Sequence, residues 1–319
     1  MLPIESEENM LVSEQEVPNE RLRYFKNDRK SFVDFIMPKL LFLCAILSIG
    51  TTIGIIWTLF GESLTFFKEI PVSDFLFGTS WAPLIEPKSF GVLPLILGTL
   101  QVTLIACVFA FPVGIACAFY LSEYAPTRVR NIVKPILEVL AGIPTIVLGY
   151  FALFFVTPKL QIIFSEIGIF NVLSAGLCVG IMIVPMISSL SEDAMSAVPK
   201  KLREGGFALG ATRFEVARQI VFPAALSGII ASFVLAFSRA IGETMSVTIA
   251  AGATPKFGFD PLDSIQTMTA YIVQIITGDA QHGTTEYHTI YAVGFTLFVI
   301  TLILNVVALL IARRFREEY

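Results

Sequence analysis

The 319-residue chain is poor in charge: Asp, Glu, Lys and Arg make up only 15% of it, against about 25% in ordinary soluble domains. Hydrophobic residues make up 55%, and the mean hydropathy is +0.76. A soluble domain of this size cannot bury so many apolar side chains. The net charge of −4 also offers no basic surface for nucleic acid. The composition therefore excludes a soluble enzyme and a nucleic-acid-binding domain, and it predicts an all-α membrane protein.

Cysteine and histidine are also scarce, with four and two residues respectively. The four cysteines lie inside apolar stretches without a C-x-x-C pair, so we expect neither a disulfide framework nor a metal site, and no cofactor. The sequence also lacks a G-x-x-x-x-G-K-[ST] loop, a G-x-S-x-G motif and an H-E-x-x-H motif. We therefore expect no catalytic residue in this chain.

Long runs without charge recur along the chain, and a helix needs about 20 such residues to cross the hydrocarbon of a bilayer. We predict six membrane spans, of which the third contains one charged residue and the fifth contains two. The predicted spans are residues 40–60, 90–121, 135–157, 167–191, 220–252 and 289–312.

The distribution of Lys and Arg predicts the orientation. Seventeen of the 22 lie in segments 1–39, 122–134, 192–219 and 313–319. Only four lie in the segments on the other side of the membrane, which are 61–89, 158–166 and 253–288. We therefore expect both termini in the cytoplasm.

The first 20 residues contain six Glu and no Lys or Arg, so we expect residues 1–35 to form a disordered cytoplasmic tail. Residues 36–319 then form the transmembrane domain. The first apolar run lacks a small-residue cleavage site, and we expect it to be an uncleaved anchor.

The segment 192–222 mixes charged and apolar residues between the fourth and fifth spans. Gly210 can supply a turn between two short helices. Thr212 and Glu215 have the spacing of a capping box, which would begin the second helix. The pattern predicts an amphipathic helix–turn–helix on the cytoplasmic membrane surface, resting on lipid or facing a partner.

Two charges interrupt the fifth span, Arg239 and Glu243. A central Arg costs about 2.5–3.5 kcal/mol to insert. On a continuous helix, residues four apart share a face and can pair. If the helix starts near Pro223, Arg239 lies about 24 Å from that end. The pair is either a structural ion pair or a polar step on a translocation path, where Arg presents a fork of donors to anionic oxygens.

The third span contains Pro144, which breaks the helical hydrogen-bond ladder, two residues after Gly142. Such a kink serves either gating or packing.

The spacing Glu-x5-Gly-x9-Ile-x-x-Pro in the cytoplasmic segment resembles the EAA loop of bacterial ABC-importer permeases. The residues at the positions of this pattern are Glu204, Gly205, Gly206, Gly210, Ile220 and Pro223. Gly205 and Gly206 replace the two alanines of the usual motif. The resemblance implies the type I importer-permease (MetI-like) fold, with six membrane helices and coupling helices that seat in an ATPase subunit.

The run Arg-Ala-Ile-Gly-Glu-Thr-Met-Ser-Val-Thr, residues 239–248, resembles the fifth membrane helix of the PstC family of phosphate-importer permeases. Residues 75–83 and 138–149 resemble the first outer loop and the third helix of that family. The resemblance implies a subunit that moves inorganic phosphate through the bacterial inner membrane, and Arg239, Glu243, Ser238 and Thr244 are candidates for its path. It also implies a PstA-like second permease, two copies of a PstB-like ATPase and a PstS-like phosphate-binding protein as partners.

Three alternatives remain open at the level of sequence. The permease could serve another oxyanion, such as molybdate, sulfate or phosphonate. An ion-driven secondary transporter would need no EAA loop, and a phosphate-sensing membrane protein would carry a phosphotransfer domain, of which no trace is visible.

Overall fold

The computed structural model of the chain describes residues 28–278, 281 and 283–314. Most of the predicted tail, residues 1–27, lies outside this range. The first helix already begins at Asp28, ahead of the predicted boundary at residue 35.

The described residues form helices almost throughout, with three π-helical turns and two strands of two residues each. The helices are α1 (Asp28–Glu69), α2 (Val72–Phe77), α3 (Leu93–Phe119), α4 (Thr127–Ala141), α5 (Thr145–Phe151), α6 (Thr157–Ile163), α7 (Val172–Ser196), α8 (Lys200–Ala208), α9 (Arg213–Val216), α10 (Phe222–Ala224), α11 (Leu226–Ile241), α12 (Met245–Ala251), α13 (Met268–Thr277) and α14 (Thr285–Arg314). The π-helical turns are Tyr120–Tyr124, Ala152–Val156 and Ala217–Val221, and the strands are β1 (Trp81–Ala82) and β2 (Ser89–Phe90).

Within the described ranges, five helical segments are long and apolar enough to cross a membrane. They are Phe35–Glu69, Leu93–Tyr124, Thr145–Ile163, Val172–Ser196 and Thr285–Ile311. A sixth span exists if Arg213–Ala224 and Leu226–Ile241, which meet at a bend of 68°, are counted together.

Two predicted spans are interrupted. The third was expected at 135–157, but the chain breaks at Gly142–Pro144, and the apolar span starts only at Thr145. The preceding helix α4 is amphipathic and has no buried residue. The fifth was expected as one helix over 220–252, but it is divided among α10, α11 and α12. The break in the third span lies at the kink predicted for Gly142 and Pro144. Length and hydropathy alone could not reveal the break in the fifth span.

The close packing of α3 against α7 forms the centre of the larger core. Gly176 and Gly180 have the small-xxx-small spacing that lets membrane helices approach. A Cβ added at Gly176 would lie 2.7 Å from the Ile105 side chain, and one at Gly180 would lie 2.8 Å from Phe109. The glycines therefore determine the distance between these two helices.

Aromatic residues of the end of α1 and of the segment between α1 and α3 form a second cluster with α13 and α14. Phe66, Phe75 and Trp81 are buried, and the Trp81 ring meets Tyr271 edge-on at 4.9 Å between centroids. The antiparallel pairs Trp81–Phe90 and Ala82–Ser89 hold this loop together. These aromatics pack against one another and on the neighbouring helices, and Phe77 is left exposed.

Among the described residues, 28–58 form a unit of their own. Every side chain of α1 from Phe35 to Thr58 is exposed, although most are apolar. This helical segment therefore needs lipid or a partner helix around it.

Candidate coupling loop and translocation path

The segment predicted as a helix–turn–helix adopts that form. Helix α8 ends before Gly210, whose φ of +84° lies in the left-handed region that favours glycine. The amide of Gly210 bonds the Phe207 carbonyl at 2.9 Å. Thr212 then caps α9, and its side chain and that of Glu215 complete the predicted capping box. The turn and the second helix start are therefore encoded by local residues.

Gly205 and Gly206, which replace the two alanines of the usual EAA motif, have different surroundings. Gly205 is exposed, with no atom within 4 Å of an added Cβ. At Gly206, which is buried, an added Cβ would lie 2.5 Å from Cδ1 of Ile220 and 3.0 Å from Cγ2 of Val216. Gly206 therefore lets the second helix of the loop pack closely on the first.

The loop also presents an apolar surface. Leu209 is 91% exposed, and Phe207 and Phe214 are about half exposed. Glu204 is exposed as well and forms no salt bridge with any described residue. An apolar patch flanked by a free carboxylate is typical of an interaction surface.

The backbone turns sharply just after Pro223, where the helices on either side of Ala225 differ in direction by 68°. The prediction that one straight helix carries Arg239 about 24 Å from Pro223 is therefore wrong. Measured from Leu226, where α11 begins, Arg239 is about 20 Å along the axis.

The charge pair is also arranged differently from the prediction. Helix α11 ends at Ile241, so Arg239 and Glu243 do not share one continuous helix face. Among the described residues, the guanidinium of Arg239 has no salt-bridge partner, and the residue is exposed. A structural ion pair between the two is thus absent.

Glu243 lies in the break between α11 and α12, and it is buried. Its Oε1 accepts the amide of Ser246 at 3.3 Å, and its backbone carbonyl accepts the Thr269 hydroxyl of α13 at 2.8 Å. The Oγ of Ser246 is buried without a hydrogen-bond partner in the described part of the chain. The break therefore gathers polar groups inside an otherwise apolar bundle.

Ser238 and Thr244, the other two candidates for the translocation path, have different hydrogen-bond partners. The Ser238 hydroxyl contacts the carbonyl oxygen of Val234 at 2.8 Å and the side chain of Asn305 on α14, so it joins two helices. Thr244 is half-buried, and its hydroxyl donates to the Gly242 carbonyl at 3.1 Å. The structure thus leaves Thr244, and not Ser238, beside Glu243 in the break.

The kink at Gly142 and Pro144 lies next to the same region. Gly142 ends α4, and Pro144 precedes the first residue of α5. Helix α5 packs on α12, since a Cβ added at Gly149 would lie 3.0 Å from Cα of Ser246. Two interrupted membrane segments therefore contact each other directly after their breaks.

Comparison with known proteins agrees with this architecture. Residues 110–317 match the family described as binding-protein-dependent transport system inner membrane component. The chain belongs to that family. It is an ABC-importer permease subunit and a multi-pass inner membrane protein.

Named relatives cover most of the chain. The probable ABC transporter permease protein YqgH of Bacillus subtilis is 32% identical over 93% of this chain and 94% of its own length. The phosphate transport system permease protein PstC of Xylella fastidiosa is 34% identical over 77% of this chain and 80% of its own. A bacterial ABC transporter involved in alginate import has a chain with a TM-score of 0.61 at 16% identity, and the match covers 90% of this chain and all of that one. The permease therefore has the type I importer fold predicted from its EAA loop.

A cluster of charges that the sequence analysis missed joins α4 of the permease to the end of α7. Glu192 is fully buried and binds Arg130 and Lys134, the latter at 2.9 Å. Ser196 donates to the same carboxylate at 2.8 Å, and Lys134 also binds Asp193 at 2.5 Å. The signal was present in the sequence as two bases four residues apart on amphipathic α4 and two acids closing an uncharged span.

Arg203 of α8 extends this connection into the candidate coupling loop, the helix–turn–helix segment within residues 192–222. Its Nη2 donates to the Met195 carbonyl at 2.8 Å and pairs with Glu123 at 3.1 Å, while Nη1 donates to the Val198 carbonyl at 2.5 Å. The start of the loop is therefore attached both to the end of α7 and to the π-helical turn after α3.

We expect Glu192→Gln to destabilise the permease strongly, because it removes the buried charge that Arg130 and Lys134 share. Breaking a buried ion pair commonly costs about 3–5 kcal/mol. The measurement is the thermal unfolding midpoint of the purified complex. Asp193→Asn is the matched control, since Asp193 binds the same Lys134 but is 55% exposed, and exposed pairs contribute about 1 kcal/mol or less. Equal shifts for the two variants would contradict this account.

Proposed function

We propose that the permease carries inorganic phosphate into the cytoplasm as one subunit of an ATP-driven importer. The observation that carries the proposal is Arg239, a cation without an ionic partner among the described residues, placed two residues before the end of a membrane helix. Such a charge is stable only where it meets water, protein or a substrate anion. Relatives named as phosphate permeases support the choice of phosphate.

The chemistry of the substrate favours this arrangement. An anion that enters hydrocarbon without compensation faces a prohibitive desolvation cost. Arg239 offers planar N–H donors that fit phosphate oxygens. Thr244 and Ser246 add hydroxyls that can donate to, or accept from, a partly protonated phosphate. The path proposed here thus runs past Arg239, Glu243 and Thr244.

The two breaks provide the means of gating. Gly142–Pro144 and Gly242–Thr244 free α5 and α12 from the helices that precede them. Helices α5 and α12 pack together at Gly149, and by this proposal they move as a pair. We propose that this pair opens and closes the path, and that the breaks are its hinges.

The coupling loop is the proposed docking surface for the ATPase. Phe207, Leu209 and Phe214 supply its apolar contacts and Glu204 its charge. By this proposal two copies of a PstB-like ATPase bind the cytoplasmic face and hydrolyse ATP, a PstA-like permease completes the path, and a PstS-like protein delivers phosphate. The chain itself contributes no catalytic group.

The function is tested by Arg239→Gln. We expect phosphate uptake by the reconstituted importer to fall at least about tenfold, because a charge-assisted hydrogen bond contributes about 1.5–3 kcal/mol. Arg239→Lys should retain part of the uptake, since lysine keeps the positive charge but lacks the planar set of N–H donors of the guanidinium group. Arg128→Gln, which removes an exposed charge on α4, is the control and should leave uptake unchanged.

Assembly of the complex is measured in parallel. Because Arg239 has no ionic partner among the described residues, Arg239→Gln should assemble without a second change at Glu243. Near-normal uptake in the assembled variant would contradict a role on the path. Uptake of sulfate or molybdate in preference to phosphate by the unaltered importer would assign the permease to another oxyanion.

Coupling is tested by Gly210→Val. A β-branched residue is poorly tolerated at φ +84°, so the turn should distort and substrate-stimulated ATPase activity should fall severalfold while the chain stays in the membrane. Gly210→Asn is the control, because Asn tolerates this conformation. Unchanged stimulation in the Val variant would overturn the assignment of the loop.

The orientation follows from the charge distribution, and both termini are proposed to be cytoplasmic. In a variant without the four native cysteines, Gly258→Cys should react with an impermeant thiol reagent from outside. Leu209→Cys should react only after the membrane is opened. Both positions are exposed, and no atom lies within 4 Å of a Cβ added at Gly258. The reverse labelling pattern would refute the orientation.

A further inference from the structure

Helix α4 has little apolar packing to fix its position. It has no buried residue, and none of its residues belongs to the clusters that buried apolar side chains form in the described part of the chain. Its apolar side chains Ile132, Ile136 and Val139 are more than half exposed. Close side-chain packing ordinarily fixes one membrane helix on another. Another kind of contact must therefore hold α4 in place.

Charged side chains supply that contact. Arg130 and Lys134 are one turn apart, so they share the face of α4 that lies against α7. Both bind the carboxylate of Glu192, and Lys134 also binds Asp193. Arg130 in addition donates to the Ser196 hydroxyl at 3.2 Å. The two bases therefore attach α4 to the end of α7.

The burial of Glu192 makes this attachment difficult to open. The Glu192 side chain has no exposed surface, whereas Arg130 and Lys134 keep 37% and 26% of theirs. If α4 moved away from α7, the carboxylate would lose both cations and keep the Ser196 hydroxyl as its remaining side-chain partner among the described residues. The loss of the partners of a buried charge is strongly unfavourable. Helix α4 should therefore stay with α7 while other parts of the permease move.

The candidate coupling loop is joined to the same place. Arg203 of α8 donates to the carbonyls of Met195 and Val198, which lie at the end of α7 and just beyond it. Arg203 also pairs with Glu123 at 3.1 Å, in the π-helical turn that precedes α4. Charged groups thus connect α8, the end of α7 and the entrance to α4.

The other end of α4 is free to bend. Among the described residues, a Cβ added at Gly142 would have two neighbours within 4 Å, the carbonyls of Val139 and Glu138 in the last turn of α4 itself. Pro144 then lacks the N–H that would continue the helix. Helix α5 begins at the next residue and packs on α12. A movement carried by α4 would therefore be taken up at residues 142–144, directly before the helix that lies beside the proposed path.

We propose that Arg130 and Lys134 are positioning residues for transport. They keep α4 fixed to α7, so that a displacement of the candidate coupling loop is converted into bending at residues 142–144. The inference rests on the function proposed above, because it names the contacts that carry motion from the ATPase docking surface to the hinge. Without the two bases, α4 would turn at residues 125–126, where the chain is extended, and the movement would not reach α5.

The first test measures phosphate carried per ATP hydrolysed by the reconstituted importer. Lys134→Met should lower this ratio severalfold while the complex still assembles, since Arg130 and Ser196 continue to bind Glu192. Lys134→Arg, which keeps the charge, should retain the ratio. A purely structural role would lower the yield of complex and not the ratio.

Arg128→Met is the matched control for this test. It removes an exposed base of the same helix that forms no salt bridge with any described residue, and it should leave the ratio unchanged. A normal ratio in the assembled Lys134→Met variant would overturn the proposal.

A second measurement does not depend on which anion is carried. In a chain without the four native cysteines, Lys134→Cys and Asp193→Cys are joined by a short bifunctional thiol reagent. We expect the link to form equally well in the nucleotide-free complex and in the complex trapped with ADP and vanadate. The linked importer should regain the phosphate-to-ATP ratio that the unlinked double variant has lost.

A link that forms in one of the two states and not the other would overturn the proposal, because α4 would then separate from α7 during the cycle. A link that abolishes transport would overturn it for the same reason. The proposed function fails separately: if the unaltered importer takes up no phosphate while the link forms equally in both states, phosphate is not its substrate and the attachment of α4 to α7 is still supported.

Discussion

Backbone hydrogen bonding inside the bilayer is the constraint on which the rest of this structure depends. Hydrocarbon offers no water to an unpaired N–H or C=O, so a chain can leave the helical conformation there only where protein supplies partners. At the break between α11 and α12, the Glu243 carboxylate binds the Ser246 amide and the Thr269 hydroxyl binds the Glu243 carbonyl. The amide of Asn171 likewise binds the Ala250 carbonyl near the end of α12. The same groups that make the break tolerable also make the interior polar.

A buried charge likewise needs partners, and the residues around the end of α7 supply them. Glu192 is fully buried, and it is tolerated because Arg130, Lys134 and Ser196 surround it. Arg203 uses its donors on two backbone carbonyls and on Glu123. These contacts connect α4, α7 and the coupling loop into one unit. A displacement of α8 by a partner would therefore reach α4, which leads directly into the break at Gly142.

Local signals in the sequence predicted local structure well. The turn at Gly210 and the capping box of Thr212 and Glu215 depend on residues within a few positions of one another, and both are present as predicted. The expected pairing of Arg239 with Glu243 was wrong, because it assumed an unbroken helix through Gly242. Nothing in the apolar pattern distinguishes a helix that continues from one whose interrupted backbone is bonded by Thr269, 26 residues further on.

By itself the sequence determined the membrane class, the approximate spans and the helix–turn–helix form of the candidate coupling loop, since hydropathy, charge counts and motif spacing are properties of short segments. The break of the third span lies at the predicted kink of Gly142 and Pro144. Only the tertiary structure decided where the fifth span breaks, that Arg239 stands without a carboxylate partner among the described residues, and that Glu192 is buried among bases from α4. The physical reason is distance along the chain. The partners that satisfy these buried charges and free backbone groups come from other helices, and only folding brings them together.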